Sequence, residues 1–185
     1  NVSMQNDGTM PPPAPTGEIE IDEPINVVAA DFATLGVSAP VVAALKRHGF
    51  TAPTGIQGQT IPLILARRDL IGQAETGSGK TLACSIPAVQ MVDPADKRIQ
   101  VLILCPTSEL AVQYYSELAL IAEDLKLTPF AVYGGFDKGL QRSMLDSGVQ
   151  LLVATPGRLM DLIYNNYLPV NGVKMFIIDE ADEML

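Results

Sequence analysis

The chain has 185 residues and a formal charge of −9, with 12 Lys and Arg against 21 Asp and Glu. Its length fits one domain of about 100–200 residues, and 48% hydrophobic content excludes a chain that is disordered throughout. Two cysteines and one histidine exclude a disulfide scaffold, a cysteine-cluster zinc site and a metal site built on several imidazoles, while the acidic balance argues against nucleic acid held by a basic surface.

Residues 1–31 contain Asp7, Glu18, Glu20, Asp22, Glu23 and Asp31, no Lys or Arg, and Pro11, Pro12, Pro13 and Pro15. This composition reads as an extended or disordered acidic arm, a candidate contact for protein partners. From residue 32 to 173 acids and bases balance, and the remaining acidity sits in Asp179, Glu180, Asp182 and Glu183. The charge therefore belongs to the two ends of a neutral body. No basic stretch leads into an apolar one at the start, and no apolar run reaches the ~18–20 residues of a membrane span. The expected setting is intracellular, cytoplasmic or nuclear, with no membrane partner.

In chain order the body opens with helical periods over 38–48 and 57–66. A short apolar run follows at 69–73 (DLIGQ), then a helix over 80–92. Four more apolar runs, at 100–105, 129–133, 150–154 and 174–179, alternate with helices over 108–125, 138–146 and 157–166. Continuous apolar strands separated by helices predict a parallel sheet covered on both faces, the doubly wound α/β class. In such a sheet ligands bind beyond the carboxyl ends of the strands. Each apolar run here ends in small, polar or acidic residues.

After the first run, Ala74–Thr81 reads AETGSGKT. A Gly-rich turn between a strand and a helix lets Ala74, Glu75, Thr76, Gly77, Ser78 and Gly79 curl their N–H groups around an anion. Lys80 supplies a charge for the β- and γ-phosphates and the Thr81 hydroxyl a ligand for Mg²⁺. Ala74 stands where the strict pattern has its first Gly. The last run ends in Asp179-Glu180-Ala181-Asp182. Taken alone, this is an acidic helix start that suits the helix dipole. Paired with the phosphate loop, Asp179 is placed to hold Mg²⁺ and Glu180 to orient or deprotonate an attacking water.

Phosphate loop plus DEAD resembles a DEAD-box RNA helicase of superfamily 2, and the other segments match that family in order. Gly49–Gln57 (GFTAPTGIQ) resembles the Q motif, with Phe32 upstream at the family's isolated aromatic position. Pro106–Gln113 (PTSELAVQ) resembles motif Ia, Gly134-Gly135 the GG motif, Thr155–Leu159 (TPGRL) motif Ib and Asp179–Asp182 motif II. The resemblance covers about residues 32–185. It implies the first RecA-like domain of such an enzyme, using ATP and Mg²⁺. Gln57 would then read the adenine edge and Phe50 stack on the ring, with the Ala52 backbone nearby. Lys80, Thr81, Asp179 and Glu180 would serve hydrolysis, and Asp182 would couple the nucleotide site to a later Ser-Ala-Thr motif. Pro106, Thr107, Ser108, Gly134, Gly135, Thr155, Pro156, Gly157 and Arg158 would grip the RNA backbone without reading sequence.

Two residues depart from the family pattern: Ser108 replaces an Arg of motif Ia, and Gly55 a frequent Pro of the Q motif. The chain also stops just past DEAD, so the domain is expected to be incomplete at its C-terminal end and its second RecA-like partner absent. The isolated chain is then expected to bind nucleotide weakly and turn over little. The rival readings are a superfamily 2 ATPase acting on DNA and a non-catalytic nucleotide-binding or interaction module.

Overall fold

Four short runs of aliphatic residues make the sheet: β1 (Val101–Leu104), β2 (Pro129–Val132), β3 (Leu151–Ala154) and β4 (Met175–Ile178). In the computed structural model, which describes residues 31–135 and 137–184, they lie in the order β2-β3-β1-β4, every pair parallel. Val101 is in register with both Leu151 and Met175. Parallel neighbours cannot be joined by tight turns, so helices cross between them. These are α4 (Ser108–Ala122), α5 (Lys138–Asp146) and α6 (Pro156–Tyr164). Ahead of the sheet stand α1 (Ala39–Arg47), α2 (Gly55–Leu65) and α3 (Lys80–Met91). The acidic arm proposed over residues 1–31 lies outside the described residues, apart from Asp31.

Side chains alternate across each strand, and the two faces build two cores. Val101, Ile103, Leu151, Val153 and Ile177 face one way, against residues of α1 to α4 such as Leu45, Ile61, Ile86 and Leu118. Leu102, Leu152 and Ala154 face the other way, against Leu159 and Leu162 of α6. Burial on both faces is why these strands read as unbroken apolar runs.

The run at 69–73 does not form the expected strand. It is irregular, and Ile71 is 87% exposed. Leu70 and Gly72 line one side of a cavity of about 240 Å³, and Met175–Ile178 of β4 line the other. A strand exists through the ladder it shares with a neighbour. With a cavity beside it, this segment has none. Four strand ends, not five, therefore feed the ligand edge. Among the described residues β4 is an edge strand, with Phe176 and Ile178 about half exposed.

Candidate nucleotide and nucleic-acid site

The phosphate loop enters α3 directly. Gly79 caps the helix with φ +93° and Gly77 has φ +82°, a left-handed conformation that glycine adopts without strain. Lys80 is the first residue of α3, and its Nζ donates to the Ala74 carbonyl at 2.7 Å. The Ser78 N–H donates to the Glu75 carbonyl at 3.2 Å, and the buried Ser78 hydroxyl has no partner.

Gln57 joins this loop to α2. The helix begins with a capping box, in which the Thr54 N–H donates to Gln57 Oε1 at 2.9 Å. The other end of the same amide, Nε2, donates to the Gly79 carbonyl at 3.1 Å. Gln57 is only 3% exposed, so both bonds are shielded from water. Phe50 is half-buried on the core and hangs from α1 through its N–H to the Leu45 carbonyl at 2.9 Å.

Asp179 prolongs β4 by one rung, its N–H donating to the Leu104 carbonyl at 3.0 Å. Its Oδ1 accepts from the Glu180 N–H at 3.0 Å. Glu180 has φ +50°, a left-handed conformation that few side chains adopt. Burial and the neighbouring carboxylates of Glu183 and Asp179 push its carboxyl above the usual range, and Lys80 opposes them.

These parts meet. Phe50, Thr76, Gly77, Gly79, Lys80, Thr81, Asp179 and Glu180 line one cavity of about 280 Å³. Its walls carry a cation, a hydroxyl, two carboxylates and a helix N-terminus, a donor set suited to a phosphate chain with a divalent cation. Thr81 and Asp179 offer two hard oxygen donors. Among the described residues no group of three or more His, Cys, Asp and Glu could hold a metal ion. Ala52, Glu75 and Asp182 are exposed and outside the cavity lining. Sequence reasoning missed Gln113 and Glu117 of α4, which close the far wall. Their spacing from Leu110, three and seven residues on, is the helical period that could have found them. Burial raises the Glu117 carboxyl, and the Gln113 amide, donating at 3.2 Å, opposes it.

Beneath the cavity lies a buried polar cluster. Tyr114 is fully buried and faces Cys84, Cys105 and Asp179. Burial, reinforced by Asp179, pushes the Cys84 thiol up to about 11 and the Cys105 thiol up to about 12. At pH 8 each thiol is therefore a thiolate at about one part in a thousand or less. Both cysteines should resist iodoacetamide in the folded chain and react fully in urea, as read by mass spectrometry. Rapid alkylation of either one in the native state would contradict this packing.

The residues assigned to RNA sit at the ends of β1, β2 and β3, on the same edge of the sheet. Thr107 caps α4, its Oγ1 accepting from the Leu110 N–H at 3.2 Å. Ser108, beside the half-buried Pro106, donates its hydroxyl to Glu109 at 3.3 Å. Gly134 and Gly135 form an exposed turn with open space around both. Thr155 caps α6 without using its side chain, and Pro156 and Gly157 open that helix. Arg158 is buried, 8% exposed, with a guanidinium nitrogen 3.9 Å from Asp161. The same Asp161 carboxylate pairs with Lys138 at 2.8 Å.

The sequence signature of the DEAD/DEAH box helicase family matches residues 54–185. The DEAD-box ATP-dependent RNA helicase CshA of Bacillus subtilis is 43% identical over 154 residues, covering 83% of this chain and 31% of CshA. The ATP-dependent RNA helicase DeaD of Escherichia coli is 42% identical over 155 residues, covering 83% of this chain and 25% of DeaD. A solved structure of S. cerevisiae Dbp5 bound to RNA and ADP BeF3 superposes with a TM-score of 0.77 at 30% identity, covering 85% of this chain and 40% of that one. The chain thus spans less than a third of the length of these two curated relatives. With the four-stranded parallel sheet and the ordered motifs, these matches establish that the chain belongs to the DEAD/DEAH box helicase family and has its RecA-like α/β fold.

Proposed function

We propose that the chain is the first RecA-like domain of an ATP-dependent RNA helicase that uses ATP with Mg²⁺ to grip and locally unwind RNA. The observation that carries this is the Gln57 amide, which ties the Q-motif helix to Gly79 of the phosphate loop, and Gly79 in turn lines the cavity with Lys80, Thr81, Asp179 and Glu180. The names of CshA and DeaD, and the RNA and ADP BeF3 bound to Dbp5, support it.

A glutamine amide has two acceptor sites and two donor hydrogens. Thr54 and Gly79 use one of each, leaving one acceptor and one donor. That remainder complements the N6 amine and N7 of adenine, whereas guanine presents acceptors at both places. Phe50 supplies an apolar surface beside the same cavity. Lys80 then leaves the Ala74 carbonyl for the phosphates, and Thr81 and Asp179 hold Mg²⁺. Bound there, Mg²⁺ supplies charge neutralisation on the β- and γ-phosphates. Glu180 orients the attacking water, and Asp182, outside the cavity, transmits the state of the site to the rest of the enzyme.

RNA lies along the edge formed by Pro106–Ser108, Gly134-Gly135 and Thr155–Arg158. The Thr107 hydroxyl still has its hydrogen to donate to phosphate after capping α4. The Gly134-Gly135 turn lets a sugar-phosphate chain approach the backbone closely. Arg158 acts from below the α6 start, sharing Asp161 with Lys138. None of these contacts needs a basic surface, which reconciles RNA with the acidic composition. The 185 residues on their own bind nucleotide weakly and turn over little. Residues 1–31 are a candidate docking arm for protein partners.

The test is ATP hydrolysis and duplex separation by the parent protein with RNA, with single-stranded DNA and with neither. Strong stimulation by RNA and little by DNA is expected. Equal stimulation by DNA would move the assignment to a DNA-directed ATPase, and no stimulation by either would overturn it.

A further inference from the structure

Tyr114 carries a hydroxyl with no hydrogen bond of normal geometry, although the residue is 0% exposed. An enclosed O–H left unpaired is costly enough to require an explanation. The ring is held on the core side of α4, and the hydroxyl faces the Cys84 thiol and the Asp179 carboxylate. Asp179 looks outward as well, since it lines both the cavity beside β4 and the one that holds Lys80 and Thr81. It therefore stands between open space on one side and a buried phenol on the other. The Glu180 N–H already holds one of its oxygens, Oδ1.

We propose that Tyr114 is a positioning residue, whose O–H donates to the Asp179 carboxylate and sets the orientation in which that carboxylate meets a divalent cation. This rests on the functional reading above. An ionised carboxylate is a far stronger acceptor than the neutral Cys84 sulfur, so the competition between the two favours Asp179. Two donors from different directions, Glu180 along the chain and Tyr114 from below, leave the carboxylate one face for a cation. Groups that orient a metal-binding side chain in this way typically change metal affinity by about 10–100-fold when removed.

The experiment uses the 185-residue chain and a fluorescent ADP analogue, titrated with Mg²⁺ and, separately, in EDTA. Tyr114→Phe removes one oxygen and keeps the ring. It should raise the Mg²⁺ concentration for half-maximal binding by about tenfold and leave the affinity in EDTA unchanged. In an Asp179→Asn background the same substitution should have no further effect, because the charged acceptor is gone. A Mg²⁺ curve that overlays the unsubstituted chain would overturn the proposal. So would equal weakening with and without Mg²⁺, which a packing role alone would produce. Should Tyr114→Phe fail to fold, the unsubstituted chain offers a second readout. Adding Mg²⁺ to the ADP-loaded chain should give a tyrosine ultraviolet difference spectrum that Asp179→Asn abolishes; its persistence in Asp179→Asn would overturn the proposal. If the unsubstituted chain binds no nucleotide even with Mg²⁺, the functional reading itself fails, and the inference with it.

Discussion

Gly79→Ala should abolish measurable nucleotide binding and destabilise the chain by about 2–4 kcal/mol. Two costs add. At φ +93° an L-residue is strained, worth about 1–3 kcal/mol. A Cβ at this position would also lie 2.5 Å from Gln57 Nε2 and 3.1 Å from Thr54 Oγ1. The Gln57 amide cannot swing aside freely, because its two ends are bonded to the Thr54 N–H and the Gly79 carbonyl. Moving it dismantles the capping box of α2, a further loss of about 1 kcal/mol. The same movement pulls the phosphate loop away from the Gln57 amide proposed to read adenine, so binding suffers beyond the loss of stability. Urea denaturation and titration with a fluorescent ADP analogue check the two halves separately. Adding Gln57→Ala to Gly79→Ala should recover part of the stability and none of the binding. Wild-type affinity in Gly79→Ala would mean that the loop conformation does not make the site.

Lys80→Ala should separate the two effects: a large loss of binding with the fold left intact. Charge-assisted hydrogen bonds to phosphate are worth about 1.5–3 kcal/mol, so ATP affinity should fall by roughly 10–150-fold. The side chain's bond to the Ala74 carbonyl, at 2.7 Å, sits on a half-buried side chain. Its loss should move the denaturation midpoint little, by under about 1 kcal/mol. Lys80→Arg should not restore affinity, since a planar fork does not replace a compact charge in a loop closed this tightly. If Lys80→Ala binds ATP as well as the unsubstituted chain does, the cavity of Lys80, Thr81 and Asp179 is not where the phosphates go.

What was legible from residues alone was whatever depends on neighbours along the chain. The helices from Ala39 to Tyr164 begin and end close to their periodic patterns, because caps such as Thr54, Thr107 and Asp137 act within one turn. Four of the five apolar runs are strands, each shorter than its run by one residue at one or both ends. The run at 69–73 is no strand at all, because strand character belongs to a pair. The residues singled out for the site do gather at the strand ends, the edge where doubly wound sheets place ligands. Their individual surroundings were not legible. The bond from Gln57 to Gly79 spans 22 positions, and nothing local announces it. Arg158 reads as an exposed cation in TPGRL, yet Leu159 and Leu162 draw that turn of α6 onto the sheet, and the guanidinium goes inside beside Asp161.

The free edge of β4 bears on handling the molecule. An unpaired parallel strand offers a row of N–H and C=O groups to any extended peptide that reaches it. Phe176 and Ile178 lie on that strand about half exposed, and the flanking charges, Lys174 before it and Asp179 after it, stand at its two ends and not along it. Natural sheets guard such edges with charge, proline or a bulge, and Met175–Ile178 has none of these. Among the described residues the outer side of β4 is therefore a place where an extended peptide can add, and edge-to-edge association in concentrated storage is the expected consequence of leaving it open.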